Sequence, residues 1–163
     1  MIEASEIIGK GQLAPVKAIL IGGFAGGTLD LGFAFVSWAL RGVGPVDILR
    51  SIASGLLGPA ARIGVAPVAV GLVSHFLLSL FFAAAFVFIT SRIAFAGRQS
   101  PWLAGPLYGV GVYFVMNRIV LPLSSFAVPA GGMPFSLADL ASHMFLFGLP
   151  IALAAHRWAG SAS

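Results

Sequence analysis

Residues 15–40 read PVKAILIGGFAGGTLDLGFAFVSWAL, an apolar stretch that carries two charges, Lys17 at its start and Asp30 well inside. A membrane-crossing helix needs about 20 consecutive, mainly apolar residues, so this stretch is long enough to span a bilayer. It runs well past the roughly 7–15 apolar residues of a signal peptide and shows no obvious small-x-small cleavage site, which predicts a retained first span. Pro15 then falls in the first turn, where its missing N–H costs nothing. The preceding residues 1–14, with Glu3, Glu6 and Lys10, read as a short surface segment.

Three further stretches of the same kind follow, at 63–90, 103–126 and 137–156. Charged residues make up 9% of the chain and hydrophobic ones 59%, against roughly 25% and 45–50% in soluble domains, which excludes a soluble fold. The expected fold is therefore all-α, an integral membrane four-helix bundle forming a single transmembrane domain over 1–163. The connections are too short for an extramembrane domain. The net charge of +4 and the pI near 10.4 come from lysines and arginines scattered singly along loops and span ends. Membrane topology accounts for that pattern, and no nucleic-acid partner is expected. The absence of cysteine excludes disulfides, thiolate metal sites, iron–sulfur clusters and cysteine nucleophiles.

Between the first two spans lies GPVDILRSIASGLLGP, 44–59, which opens with Pro45 and Asp47 in a first turn and stops at Gly58-Pro59. Ile48, Leu49, Ile52, Ala53, Leu56 and Leu57 fall on one side of such a helix, and Asp47, Arg50, Ser51 and Ser54 on the other. This predicts a short amphipathic interfacial helix over about 45–58, lying in the headgroups with its apolar face down. A partner-docking or re-entrant helix is the competing reading. At the start of the fourth span, Ser136 and Asp139 have capping-box spacing, with Phe135 and Leu140 placed as a hydrophobic staple.

Four spans put both termini on one side together with Lys10, Lys17, Arg92, Arg98 and Arg157, and leave Arg41, Arg50 and Arg62 on the other. Five basic residues against three predict that both termini are cytoplasmic. Small residues four apart allow close helix approach within a bilayer. The first span has Gly22, Gly23, Gly26 and Gly27, two overlapping GxxxG pairs; the third has Gly105 and Gly109; the second has Gly64 and Gly71. Each glycine row continues into polar residues: Gly26 to Asp30, Gly71 to His75 and Ser79, and Gly109 through Tyr113 to Asn117.

Ionisable groups at bilayer depth cost roughly 2.5–3.5 kcal/mol each and so need a reason. On the helical rise His75 falls near the midplane and Asp30, Asn117, Arg118 and His143 roughly 3–7 Å toward the outer face, so all five are expected to form one buried polar cluster. Asp30 and Arg118 form the natural charge pair, either a lock between helices or the centre of an ion or proton path. Alternatively Arg118 snorkels outward and leaves Asp30 without its cation.

His75 and His143, each in a Ser-His pair on what would be diagonal spans, admit a second reading as bis-His ligands of a haem b. Asp139, four residues before His143, is placed either to orient that imidazole or to cap the helix. Ser124 and Ser125 have no local base or oxyanion motif. No nucleotide fingerprint, phosphate loop or HExxH zinc motif occurs, so no catalytic residue or metal site is expected.

The runs IASGLLG (52–58), His75-Phe76, YGVGVYFVMN (108–117), LPLS (121–124) and GLPIAL (148–153) together resemble a family of short four-span bacterial inner-membrane proteins, distantly similar to the YagU-like proteins. The resemblance covers about 15–157 and implies a multi-pass protein of the bacterial cytoplasmic membrane. That family carries no established activity to transfer. The leading expectation is a non-enzymatic membrane protein whose cluster binds a small ligand or proton, or orders the bundle as an accessory subunit of a membrane complex or a homo-oligomer. A haem-binding electron carrier is the alternative, and a small transporter or channel the second.

Overall fold

The computed structural model describes the backbone of residues 2–93 and 98–159, and the side chains within that range from residue 14 onward. Five helices follow one another: α1 (Ile2–Ala39), α2 (Pro45–Leu57), α3 (Ala66–Arg92), α4 (Pro101–Leu123) and α5 (Leu137–Ala159). The chain is all-α, with no strand among the described residues. In α1 the part from Ala14 to Ala39, and α3, α4 and α5 entire, are long and apolar enough to cross a membrane.

Among the boundaries that differ from the sequence reading, three have a clear local reason. α1 begins before Pro15, so the proline lies inside the helix rather than in its first turn. α3 starts at Ala66, because Gly64 takes a φ of +85° that ends any helical run through it, and Pro67 then occupies the first turn. α4 stops at Leu123, where Ser124 turns extended.

The helices meet at their glycines. Gly22 and Gly26 of α1 face Ile151 and Phe147 of α5, and Gly23 and Gly27 face Leu80 and Ser79 of α3. Gly105 and Gly109 of α4 lie against Leu149 and His143 of α5, where an added Cβ would collide with backbone. Close approach lets backbone atoms supply the contacts that lipid-facing leucines cannot. Ser79, 2% exposed, donates to the Gly23 carbonyl at 2.6 Å and ties α3 to α1. Phe82, Phe86, Val112, Phe147 and Ile151 fill the centre.

Three of the four seams are therefore tight: α3 to α1, α1 to α5, and α5 to α4. The fourth, between α3 and α4, is closed at one end, where the Tyr108 hydroxyl donates to the Phe82 carbonyl at 2.7 Å and its ring meets Phe86 edge-on at 4.9 Å. Beyond Phe81 and Tyr113 a cavity separates the two helices.

α2 lies across that open end. Its Leu49 backbone rests on Gly71 of α3, Arg50 donates to the Gly64 carbonyl at 2.9 Å, and the Ser125 amide after α4 donates to the Gly55 carbonyl at 2.8 Å. Gly71 thus receives α2 rather than another span, and Gly64 lies outside α3. The apolar face expected to point into headgroups is turned onto the protein instead: Ile48, Leu49 and Ala53 are buried, while Leu56 and Leu57 stay exposed. The side-chain-free groove at Gly71 permits that packing.

At the start of α5, Ser136 caps the helix by accepting from the Asp139 amide at 3.2 Å. The reciprocal half of the expected box comes from another helix, since the Ser136 amide donates to the Tyr113 hydroxyl at 3.0 Å. Phe135 turns its ring to Tyr113, at 6.0 Å between centroids.

Candidate functional site

The cavity between α3 and α4 measures about 790 Å³ and is walled by all five helices and by the 124–136 connection. Most of its lining is apolar. Leu77 and Phe81 line it yet are 61% and 63% exposed, so it opens sideways between α3 and α4. Ile48, Ser51, Ile52 and Gly55 of α2 form one end.

Of the five residues singled out in the sequence, Asp30, His75, Asn117 and His143 line this cavity. Arg118 does not. It is exposed on α4, beside the glycine turn at Gly132, and forms no ion pair with Asp30. One residue is about 100° of helix rotation, so Asn117 facing the cavity sends its neighbour outward, where a long side chain reaches a polar surface. The expected Asp30–Arg118 pair is replaced by an interaction with α5: the Ser142 hydroxyl donates to Asp30 Oδ1 at 2.8 Å, and His143 Nδ1 stands 4.0 Å from the same oxygen. Hydrogen bonding to Ser142, with side-chain exposure of 19% on both Asp30 and His143, meets part of the cost of placing the acid at this depth.

The imidazole tautomers follow from their partners, because a carbonyl only accepts. His143 Nδ1 lies 2.8 Å from the Asp139 carbonyl and carries the proton, leaving Nε2 with a lone pair. His75 Nε2 lies 2.8 Å from the Gly27 carbonyl and is the protonated nitrogen there. Asp139 therefore orients His143 through its backbone, not through the carboxyl group that the spacing suggested.

The haem reading needs both imidazoles to offer their outer nitrogen to one iron, and on His75 that nitrogen is committed to α1. Among the described residues no group of three or more His, Cys, Asp or Glu is gathered to hold a metal ion.

Two widened turns shape the wall. Residues Met116–Val120 and His143–Gly148 form π turns, in which the Leu121 and Leu149 amides reach back to the Met116 and Met144 carbonyls. Each is followed at once by a proline, Pro122 or Pro150, whose missing N–H already breaks the regular ladder. Asn117 and His143 sit in these turns, a placement that recurs at functional sites.

Sequence reasoning missed Ser142 and understated Tyr113. Tyr113 is 4% exposed, its ring lies 5.6 Å from that of His143, and its hydroxyl anchors α5. Its place midway between Gly109 and Asn117 on one helix face was the available signal. Ser142 was legible only as the neighbour of His143, since nothing local pairs it with a residue on α1.

No protein-family model matches this chain, and no curated protein or solved structure is significantly similar to it, so the family resemblance rests on its sequence runs alone.

Proposed function

We propose that this multi-pass membrane protein binds a small amphipathic molecule in the cavity between α3 and α4. The observation that carries the reading is the cavity itself: about 790 Å³, within the roughly 300–1,000 Å³ of ligand sites, mainly apolar and supplied with a few convergent polar groups. A purely structural polar cluster would be expected to close on itself. Here one of four seams stays open although the same helices pack to backbone contact elsewhere.

The side opening fits a molecule arriving from lipid with its polar end directed at Asp30, Asn117 and His143. The sequence runs above support placement in the bacterial cytoplasmic membrane. Ser142, whose hydroxyl is bound to Asp30, is only 3% exposed, so binding or transport accounts for the polar set better than nucleophilic catalysis.

The test is native mass spectrometry of protein purified in a mild non-ionic detergent, alongside Ala34→Trp, which fills the cavity from α1. The reading expects an amphiphile retained by the unaltered chain and lost from the variant, with both equally folded. Equal retention by both would place the bound molecule elsewhere.

A further inference from the structure

We infer that the occupant is an amphipathic organic cation, an amine or quaternary ammonium on an apolar body; this rests on the ligand-binding reading above and adds its charge. The chain has three aspartates, Asp30, Asp47 and Asp139, and all three line this one cavity. None of the described lysine or arginine side chains lines it, in a chain with nine of them.

The fold performs that separation. Arg118 turns away from the cavity that its neighbour Asn117 faces. Arg50 and Arg62 line an adjoining recess of about 440 Å³ with Ser54 and Ser125. Arg41 lies over the Trp38 ring at 4.9 Å. Arg50 comes within 3.8 Å of Asp47, whose side chain is 65% exposed, so the rim acid is already matched. Asp30 and Asp139 further in have no guanidinium partner among the described residues.

The hydrogen-bond inventory points the same way. The donors on the wall are largely used within the protein: Ser74 to the Val70 carbonyl, Ser124 to Leu121, His75 to Gly27, His143 to Asp139, and Ser142 to Asp30. Asn117 also spends one amide hydrogen on the Tyr113 carbonyl. What remains on the wall is the Asp30 and Asp139 carboxylates beside a few neutral donors, the Tyr113 and Ser51 hydroxyls and the second Asn117 amide hydrogen. Two carboxylates with no cation beside them reward a positive head and repel an anionic one. Phe33, Phe81, Tyr113 and Phe126 line the same space, and aromatic faces attract organic cations.

The experiment uses the full chain in non-ionic detergent and three fluorescent amphiphiles that share one tail and differ only in a trimethylammonium, hydroxyl or carboxylate head. Binding is read by fluorescence anisotropy. The trimethylammonium probe is expected to bind about tenfold or more tighter than the hydroxyl probe. Asp30→Asn, which keeps an acceptor for Ser142, is expected to remove most of that preference, read as a fall in the ratio of trimethylammonium-probe to hydroxyl-probe affinity. Asp139→Asn provides the second variant should Asp30→Asn fail to fold. Equal binding of the three heads, or a preference for carboxylate, overturns the cationic assignment and leaves the ligand site standing. Binding of none of the three overturns both.

Discussion

Ser142 and Gly109 show how little chemistry holds the site and how much depends on shape. Interhelical hydrogen bonds in membrane bundles average about 0.6 kcal/mol and reach ~1.7. Ser142 bonds a carboxylate on another helix, at 2.8 Å and 3% residue exposure, which places it toward the upper end of that range. Ser142→Ala is expected to lower stability by about 1–2 kcal/mol, read as an earlier unfolding transition in detergent. Gly109→Val should cost more, because the added atoms meet the His143 backbone, which has no rotamer to relax into. Overpacking of that kind costs about 1–3 kcal/mol or more. The reverse order of the two variants would mean that α4 and α5 are not in backbone contact. The acids and imidazoles were legible in the sequence because a charge in an apolar run has no bland explanation. Their partners were not, because hydrogen bonds from Ser142 to α1, and from Ser136 to Tyr113, join residues far apart in the chain.

At the level of elements, α2 is the piece whose existence the sequence announced and whose seat it concealed. Pro45, Gly58 and the two-sided pattern define a short helix, but periodicity says only that one face is apolar, not whether lipid or protein covers it. The cover is set by Gly71 of α3, which admits the α2 backbone, and by Gly55, which receives the Ser125 amide. A Cβ on Gly55 would stand 3.7 Å from that of Ser124, within the roughly 3.5–4.5 Å of disulfides. In this cysteine-free chain, Gly55→Cys with Ser124→Cys is expected to form an intramolecular disulfide under mild oxidation, seen as a reductant-sensitive shift in gel mobility. Failure to oxidise would show that α2 is not seated across the α3–α4 seam. The π turns were also hidden, although Leu121-Pro122 and Leu149-Pro150 mark where the regular ladder must yield.

For the whole molecule, four apolar runs were enough to specify an all-α bundle, because a membrane admits few other ways to satisfy a backbone. The seam that opens was not visible, since helix periodicity fixes faces but not the spacing between helices. Orientation depends on a narrower margin than the sequence suggested. Arg118 sits by the 124–136 connection, which makes the basic residues five against four rather than five against three. Both termini are still expected in the cytoplasm; a C-terminal alkaline phosphatase fusion should be inactive, and an active one would place the α2 end on the cytoplasmic side.

The proposed site requires that solutes enter the cavity between α3 and α4 and stop at the packed core beneath it. Single cysteines test it directly in the full chain: Leu78→Cys and Met116→Cys on the facing walls, against Phe82→Cys and Val112→Cys in the core just beneath. With a small membrane-permeant maleimide, the first pair should label and the second should not. Should Leu78→Cys and Met116→Cys prove as inert as the core pair, the seam is closed and the site does not exist.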